Sequence, residues 1–138
     1  MEGLLKIYCD GGSRGNPGPA ASAFVVEEKG KIIFKKGTYL GSATNNVAEY
    51  RAVLEALKWL SENHLGRSEV LFVLDSELVT KQLSGIFKIK NENLRNYFFS
   101  IKAIEKNLGL KISYSAVPRA KNVLADLLVN KTLDEKGQ

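Results

Sequence analysis

Cysteine and histidine are almost missing from this chain: its 138 residues contain one of each, Cys9 and His64. A lone thiol closes no internal disulfide, so nothing in the composition argues for an oxidising compartment. Long apolar runs are missing too, and none approaches the roughly 20 residues that cross a bilayer. The first residues lack the basic, then apolar, then small-residue pattern of a secretory signal, which makes the cytoplasm the expected compartment and a membrane partner unexpected. Internal repeats, low-complexity tracts and inter-domain linkers are absent as well. What remains is the make-up of a soluble globule, 44% hydrophobic and 25% charged, which excludes disorder over most of the length. The length suits a single domain, residues 1–138, with a core of its own. Lys and Arg number 20 against 15 Asp and Glu. That excess leans toward an anionic partner, but it is also common on ordinary solvated surfaces.

The stretch that organises the rest is Ile7-Tyr8-Cys9-Asp10-Gly11-Gly12-Ser13-Arg14-Gly15-Asn16-Pro17-Gly18. An apolar run ends at a carboxylate, and four glycines and a proline follow within eight residues. This pattern predicts a strand that carries an acid to its exposed end and then turns sharply. An ionised acid there needs water, hydrogen-bond donors or a cation. The glycines allow close backbone approach, as phosphate-carrying ligands often require. No Gly-Lys-Ser/Thr ending follows, so an NTP-binding loop is set aside. Strand alternation puts Cys9 on the face opposite Asp10, as a packing residue.

Beyond it, Ala20 to Glu28 and Lys31 to Lys36 predict a hairpin turning at Lys29-Gly30, with the first strand as its third antiparallel member. The small residues Ala20, Ala21, Ser22 and Ala23 suit close packing beneath a helix. Gly37 to Asn46 reads as a polar connection that delivers Thr44, Asn45 and Asn46 as helix caps. Apolar residues from Ala48 to Leu60 recur at spacings of three and four, which predicts an amphipathic helix from about Val47 to Asn63, with Trp59 in its core pattern. Glu69 to Leu74 is a continuous apolar run, hence a central strand, and it also ends at an acid, Asp75. Strand, helical crossover and second apolar strand is the pattern of parallel neighbours, which would bring Asp10 and Asp75 to one sheet edge. Ligand sites in open α/β sheets favour such edges. A short helix over Ser76 to Leu83, a basic connection, a helix over Leu94 to Leu108 and a strand over Lys111 to Val117 follow. Tyr97, Phe98 and Phe99 read as core. The basic loop Pro118 to Asn122 ends in a helix cap, and the last helix carries Asp126 in its first turn before a fraying tail from Lys131.

Four acids thus occupy related places, two at strand ends and two in first helical turns. Clustered carboxylates repel, so they need protons or divalent cations. Oxygen ligands without His or Cys suit Mg²⁺ or Mn²⁺ rather than Zn²⁺. Two such ions about 4 Å apart can activate water and stabilise a leaving oxygen in phosphodiester cleavage. Taken alone, Glu49 reads better as a helix-dipole partner than as a ligand.

The residues around those acids resemble the type 1 ribonuclease H family from about Lys6 to Asn130. The resemblance rests on Tyr8 to Gly18, Thr44-Asn45-Asn46-Val47-Ala48-Glu49, Leu74-Asp75-Ser76-Glu77-Leu78-Val79 and Arg119 to Asp126, four pieces in order at fitting intervals. It implies an α/β ribonuclease H-like fold, a mixed five-stranded sheet of order 3-2-1-4-5 flanked by helices. It implies Asp10, Glu49, Asp75 and Asp126 as catalytic residues holding Mg²⁺ or Mn²⁺, two ions per site. The implied reaction is endonucleolytic hydrolysis of the RNA strand of RNA·DNA hybrids, leaving 5′-phosphate and 3′-hydroxyl ends, and a monomer is the expected state. Asn16, Asn45 and Asn46 become candidates for minor-groove contacts, aided by backbone amides of Gly11, Gly12 and Ser13, and Thr44 for a DNA phosphate. Arg119 reads either as a phosphate grip beside the metals or as a surface cation. Asp134 competes with Asp126 for the fourth place, and the Ala-Asp context and the preceding Asn122 favour Asp126.

Departures from the family pattern are visible. The connection Gly85 to Asn93 is too short for the basic helical protrusion of many larger members, and the loop Pro118 to Asn122 lacks the histidine some members carry. Two rival readings stand beside the nuclease: a non-catalytic module binding hybrids or double-stranded RNA, and a nuclease with broader double-stranded-RNA activity. The intact acids argue against a pure binder of polyanions, which would gain by losing them.

Overall fold

The computed structural model describes residues 4–136. Along the chain run β1 (Leu4–Ser13), β2 (Gly18–Glu28), β3 (Lys31–Ala43), α1 (Asn45–Asn63), β4 (Glu69–Leu74), α2 (Glu77–Leu83), α3 (Glu92–Leu108), β5 (Lys111–Ala116), a 3₁₀ turn (Arg119–Lys121) and α4 (Val123–Glu135). The strands form one sheet in the order β3-β2-β1-β4-β5. β1 is antiparallel to β2 and parallel to β4, as the helical crossover between the two apolar strands predicts. Among the described residues, no helix is long and apolar enough to cross a membrane.

Three expectations are corrected. β1 does not stop at Asp10: pairing with β2 carries it on through Gly11↔Ser22 and Gly12↔Ala21 to Ser13↔Ala20. Asp10 therefore lies within a strand and is only 4% exposed. The expected connection from Gly37 is mostly strand, because β3 goes on pairing with β2 as far as Gly18↔Ala43, across a register shift at Ala20/Ala21 and a left-handed Gly41. Pairing with a neighbouring strand overrides the weak strand propensity of a Gly- and Ser-containing sequence. The supposed tail from Lys131 is helical to Glu135, held where Leu133 packs on Ala21 and Ala23; its last two residues, 137–138, lie outside the described chain.

The core divides across the sheet. On one face Leu5, Ile7, Cys9, Phe24, Phe72 and Leu74 pack against α1 and α3, including Tyr50, Leu57, Leu60 and Ile101. Cys9 is among them, on the face away from Asp10. Tyr97 and Phe98 pack against this core while Phe99 is exposed. Trp59 stacks on Phe34 with centroids 5.4 Å apart. On the other face α4 lies over the small residues of β2, Val129 and Leu133 meeting Ala21 and Ala23.

Gly11 sets how closely α1 approaches the sheet. A Cβ added there would lie 2.2 Å from the Ala48 carbonyl carbon and 2.4 Å from the Glu49 nitrogen. Only a bare α-carbon lets the first turn of α1 rest on β1, and that contact brings Glu49 beside Asp10. Gly11→Ala is expected to lower stability by about 1–3 kcal/mol, the scale of overpacking. Gly12→Ala, whose methyl would meet Val129 Cγ1 at an ordinary 3.6 Å, is expected not to lower it; urea unfolding of the two variants checks the contrast.

Candidate active site

β1 and β4 pair in parallel only as far as Tyr8↔Val73. Asp10 and Asp75 lie just past that point, where the strands part. Glu49 enters from the first turns of α1, whose start is set by Thr44: its hydroxyl accepts from the Val47 amide at 3.2 Å. One carboxylate oxygen from each of Asp10, Glu49 and Asp75 lies within 4.8 Å of the other two. Asp126, in the first turn of α4, stands outside that triad but lines the same cavity as Asp10, and its charge acts on Asp10. Asp134 is placed elsewhere, paired with Arg14 at 2.8 Å.

The cluster is electrostatically costly. Burial, then the charges of Asp75 and Asp126, push Asp10 up to about 7. Burial and the carboxylates of Asp10 and Asp75 push Glu49 well above its ordinary value, with Arg119 opposing. Asp75 is raised by burial, against the Arg119 guanidinium and the Asn122 side chain, which favour its charge. Arg119 is the exposed cation here, its Nε 3.8 Å from Asp75 Oδ2. Glu49 Oε2 and Asp75 Oδ2 are buried and accept no hydrogen bond. Buried carboxylate oxygens without donors, converging from three elements, fit a hard divalent cation; Asp10, Glu49 and Asp75 would hold it, with Asp126 at its margin.

The Gly-rich segment and α1 are latched to each other beside the acids. The Asn45 side-chain oxygen accepts from the Ser13 amide at 2.9 Å, and the Asn16 side-chain oxygen accepts from the Asn45 amide at 3.0 Å. The Ser13 hydroxyl donates to the Gly15 carbonyl, and a cis peptide joins Asn16 to Pro17. Both asparagines are exposed, as is Asn46, and with their oxygens engaged Asn16 and Asn45 keep their side-chain NH₂ groups as donors. A polar cavity of about 260 Å³ runs from Asp10 and Asp126 past Gly12 and Ser13 to Arg14 and Asn45. Gly11 lies buried against the first turn of α1 and also borders this cavity.

Two residues have roles the sequence does not disclose. Arg14 reaches α4, with Asn130 Oδ1 at 3.4 Å in addition to Asp134. Asn122, expected as a helix cap, makes no capping bond; its side chain turns inward and donates to the Cys9 carbonyl at 2.8 Å. An asparagine before a helix signals a cap whichever way it points, so no sequence pattern separates the two outcomes.

A mixed sheet of this order, with acids gathered where β1 and β4 part, defines a ribonuclease H-like domain. The RNase H family model matches residues 3–131, and the chain belongs to the RNase H family, whose members depend on divalent cations. It is 41% identical over 135 residues to ribonuclease HI of Halobacterium salinarum, covering 96% of this chain and 66% of that protein. It is 39% identical over 136 residues to the bifunctional protein Rv2228c of Mycobacterium tuberculosis, covering 97% of this chain and 36% of the relative. The chain thus spans about a third of the length of the mycobacterial relatives. Among solved structures, LC11-RNase H1 in complex with an RNA/DNA hybrid superposes with a TM-score of 0.93 at 37% identity, covering 97% of this chain and 99% of that one.

The raised carboxylates give stability a definite pH dependence. Without a cation, folded Asp10 keeps its proton up to about pH 7, whereas the unfolded chain loses it near pH 4. The folded state then binds the extra proton between those values, so stability is full below about pH 4, falls as pH rises to about 7 and stays low above. In chelator, Asp10→Asn is expected to flatten the profile of Tm against pH and to raise Tm at pH 8. Mg²⁺ at pH 8 is expected to raise the wild-type Tm more than that of the variant, by thermal unfolding monitored with circular dichroism.

Proposed function

We propose that this domain is a ribonuclease that hydrolyses the RNA strand of RNA·DNA hybrids, with Asp10, Glu49, Asp75 and Asp126 as its catalytic residues. The observation that carries the reading is the meeting of three carboxylates within 4.8 Å, two of them with a buried oxygen that accepts no hydrogen bond. Mg²⁺ or Mn²⁺, two ions per site, suits this all-oxygen donor set. Bound there, the cations would activate water and neutralise charge on the leaving oxygen.

The chain's own groups supply the remainder. Asp10, Glu49 and Asp75 would hold the cations from a strand, a helix and a strand end, elements that cannot shift independently of the core. The side-chain NH₂ groups of Asn16 and Asn45, each oriented because its oxygen is already bonded to backbone, offer donors to minor-groove acceptors and to the 2′-hydroxyl that distinguishes RNA from DNA. Asn46 and the backbone of Gly12 and Ser13 border the same surface, and Thr44 beside them suits a phosphate of the DNA strand. Arg119, exposed and close to Asp75, is placed to hold a phosphate next to the acids. The hybrid bound by the similar LC11-RNase H1 supports this choice of substrate.

An RNA·DNA hybrid labelled at the RNA 5′ end, incubated with Mg²⁺ or with chelator, tests the reading. Cation-dependent internal cuts in the RNA strand are expected, slowed by roughly 10³-fold in Asp10→Asn, the scale seen when a preorganised electrostatic partner is removed. Hybrid binding without cuts under both Mg²⁺ and Mn²⁺ would leave a binding module and overturn the assignment. Double-stranded RNA of the same sequence, run alongside, reads substrate breadth.

A further inference from the structure

Asn122 is among the most buried polar side chains, 1% exposed, yet that side chain does not cap the helix it precedes. Its backbone stands at φ −125° and ψ 35°, and its side chain bonds to no amide of α4. The carboxamide crosses instead to β1, where Nδ2 donates to the Cys9 carbonyl at 2.8 Å. That carbonyl lies one residue beyond the last β1–β4 pair, Tyr8↔Val73, where the ladder with β4 has ended, so Asn122 supplies a donor where the strands part.

The backbone of the same residue reaches the other groups of the site. Its amide donates to the Arg119 carbonyl at 2.9 Å, closing the 3₁₀ turn, and its carbonyl accepts from the Asp126 amide at 3.2 Å, opening α4. One residue is therefore bonded to the strand position next to Asp10, to the turn that carries Arg119 and to Asp126 itself. Asn122 Oδ1, buried without a partner, makes the placement costly for the fold.

We propose that Asn122 is a positioning residue that clamps the start of α4 to β1 and thereby sets Asp126 against Asp10. The proposal rests on the acidic cluster being the cation-dependent site described above. Outer residues that orient metal ligands characteristically change cation affinity and turnover without touching substrate. A space-filling role predicts a different result, because any side chain of similar volume would then serve.

Asn122→Leu and Asn122→Ala separate the two. Leu keeps the volume and loses the donor, whereas Ala loses both. Mg²⁺ binding to the nucleic-acid-free protein is measured by isothermal titration calorimetry, hybrid affinity in chelator by fluorescence anisotropy, and kcat and KM on the hybrid, with circular dichroism to confirm folding. Both variants are expected to lose about 10–100-fold in Mg²⁺ affinity and in kcat, with KM and hybrid affinity within about twofold of wild type. Wild-type Mg²⁺ affinity and kcat in Asn122→Leu would overturn the proposal, as would a loss confined to hybrid affinity. Failure of either variant to fold would overturn it too, making Asn122 a requirement of the fold rather than of the site. A wild type that neither binds Mg²⁺ nor cuts the hybrid would remove the functional reading first and this proposal with it.

Discussion

Mutual repulsion among buried carboxylates is the constraint the rest of this structure serves. Asp10 and Glu49 are buried, and with Asp75 they place oxygens within 4.8 Å of one another. Ionised acids so placed, two with an oxygen that no donor meets, would move apart if their supports allowed it. The same unfavourable energy that raises their pKa values is what a divalent cation relieves, so affinity for the ion and cost to the empty fold have one origin. Such a site holds only on elements anchored in a packed core.

Each anchor has an identifiable physical basis. Asp10 is held inside β1 by the antiparallel ladder with β2, just past the end of the parallel ladder with β4. Glu49 arrives because Gly11 has no side chain to keep α1 away. Asp75 follows an apolar strand, and Ser76 behind it accepts from the Val79 amide to start α2. Asp126 depends on α4, seated on the alanines of β2 and bonded at its start to β1 through Asn122. The Gly-rich segment is latched to α1 through Asn16, Ser13 and Asn45, so the surface beside the acids is as fixed as the acids themselves. Arg119 alone is loosely held: exposed and 3.8 Å from Asp75, it offsets part of the negative charge and remains free to turn to a phosphate.

Much of this was legible in the residues. The apolar runs before Asp10 and Asp75, with a helical pattern between them, implied parallel neighbours and a shared sheet edge, because a crossover of that length permits little else. Spacings of three and four located α1 and its capping Thr44. Misjudged segments were those whose local preference is weak. The Gly37–Ala43 stretch is a strand only because β2 lies beside it, and residues 131–135 are helical in α4, where Leu133 has alanines to pack on. In both cases the deciding contacts come from residues distant in sequence.

The sequence by itself determined the alternation of strands and helices, the four acids and the type of chemistry they suit, since periodicity and residue type are local properties. Tertiary structure alone decided which acids meet: Asp10, Glu49 and Asp75 as a triad, Asp126 in the cavity beside Asp10, and Asp134 away with Arg14. It also decided how closely α1 rests on Gly11, and that Asn122 turns from its own helix to the Cys9 carbonyl. Those outcomes depend on how closely two elements approach and on which carbonyl lacks a ladder partner, and neither exists until the sheet has formed.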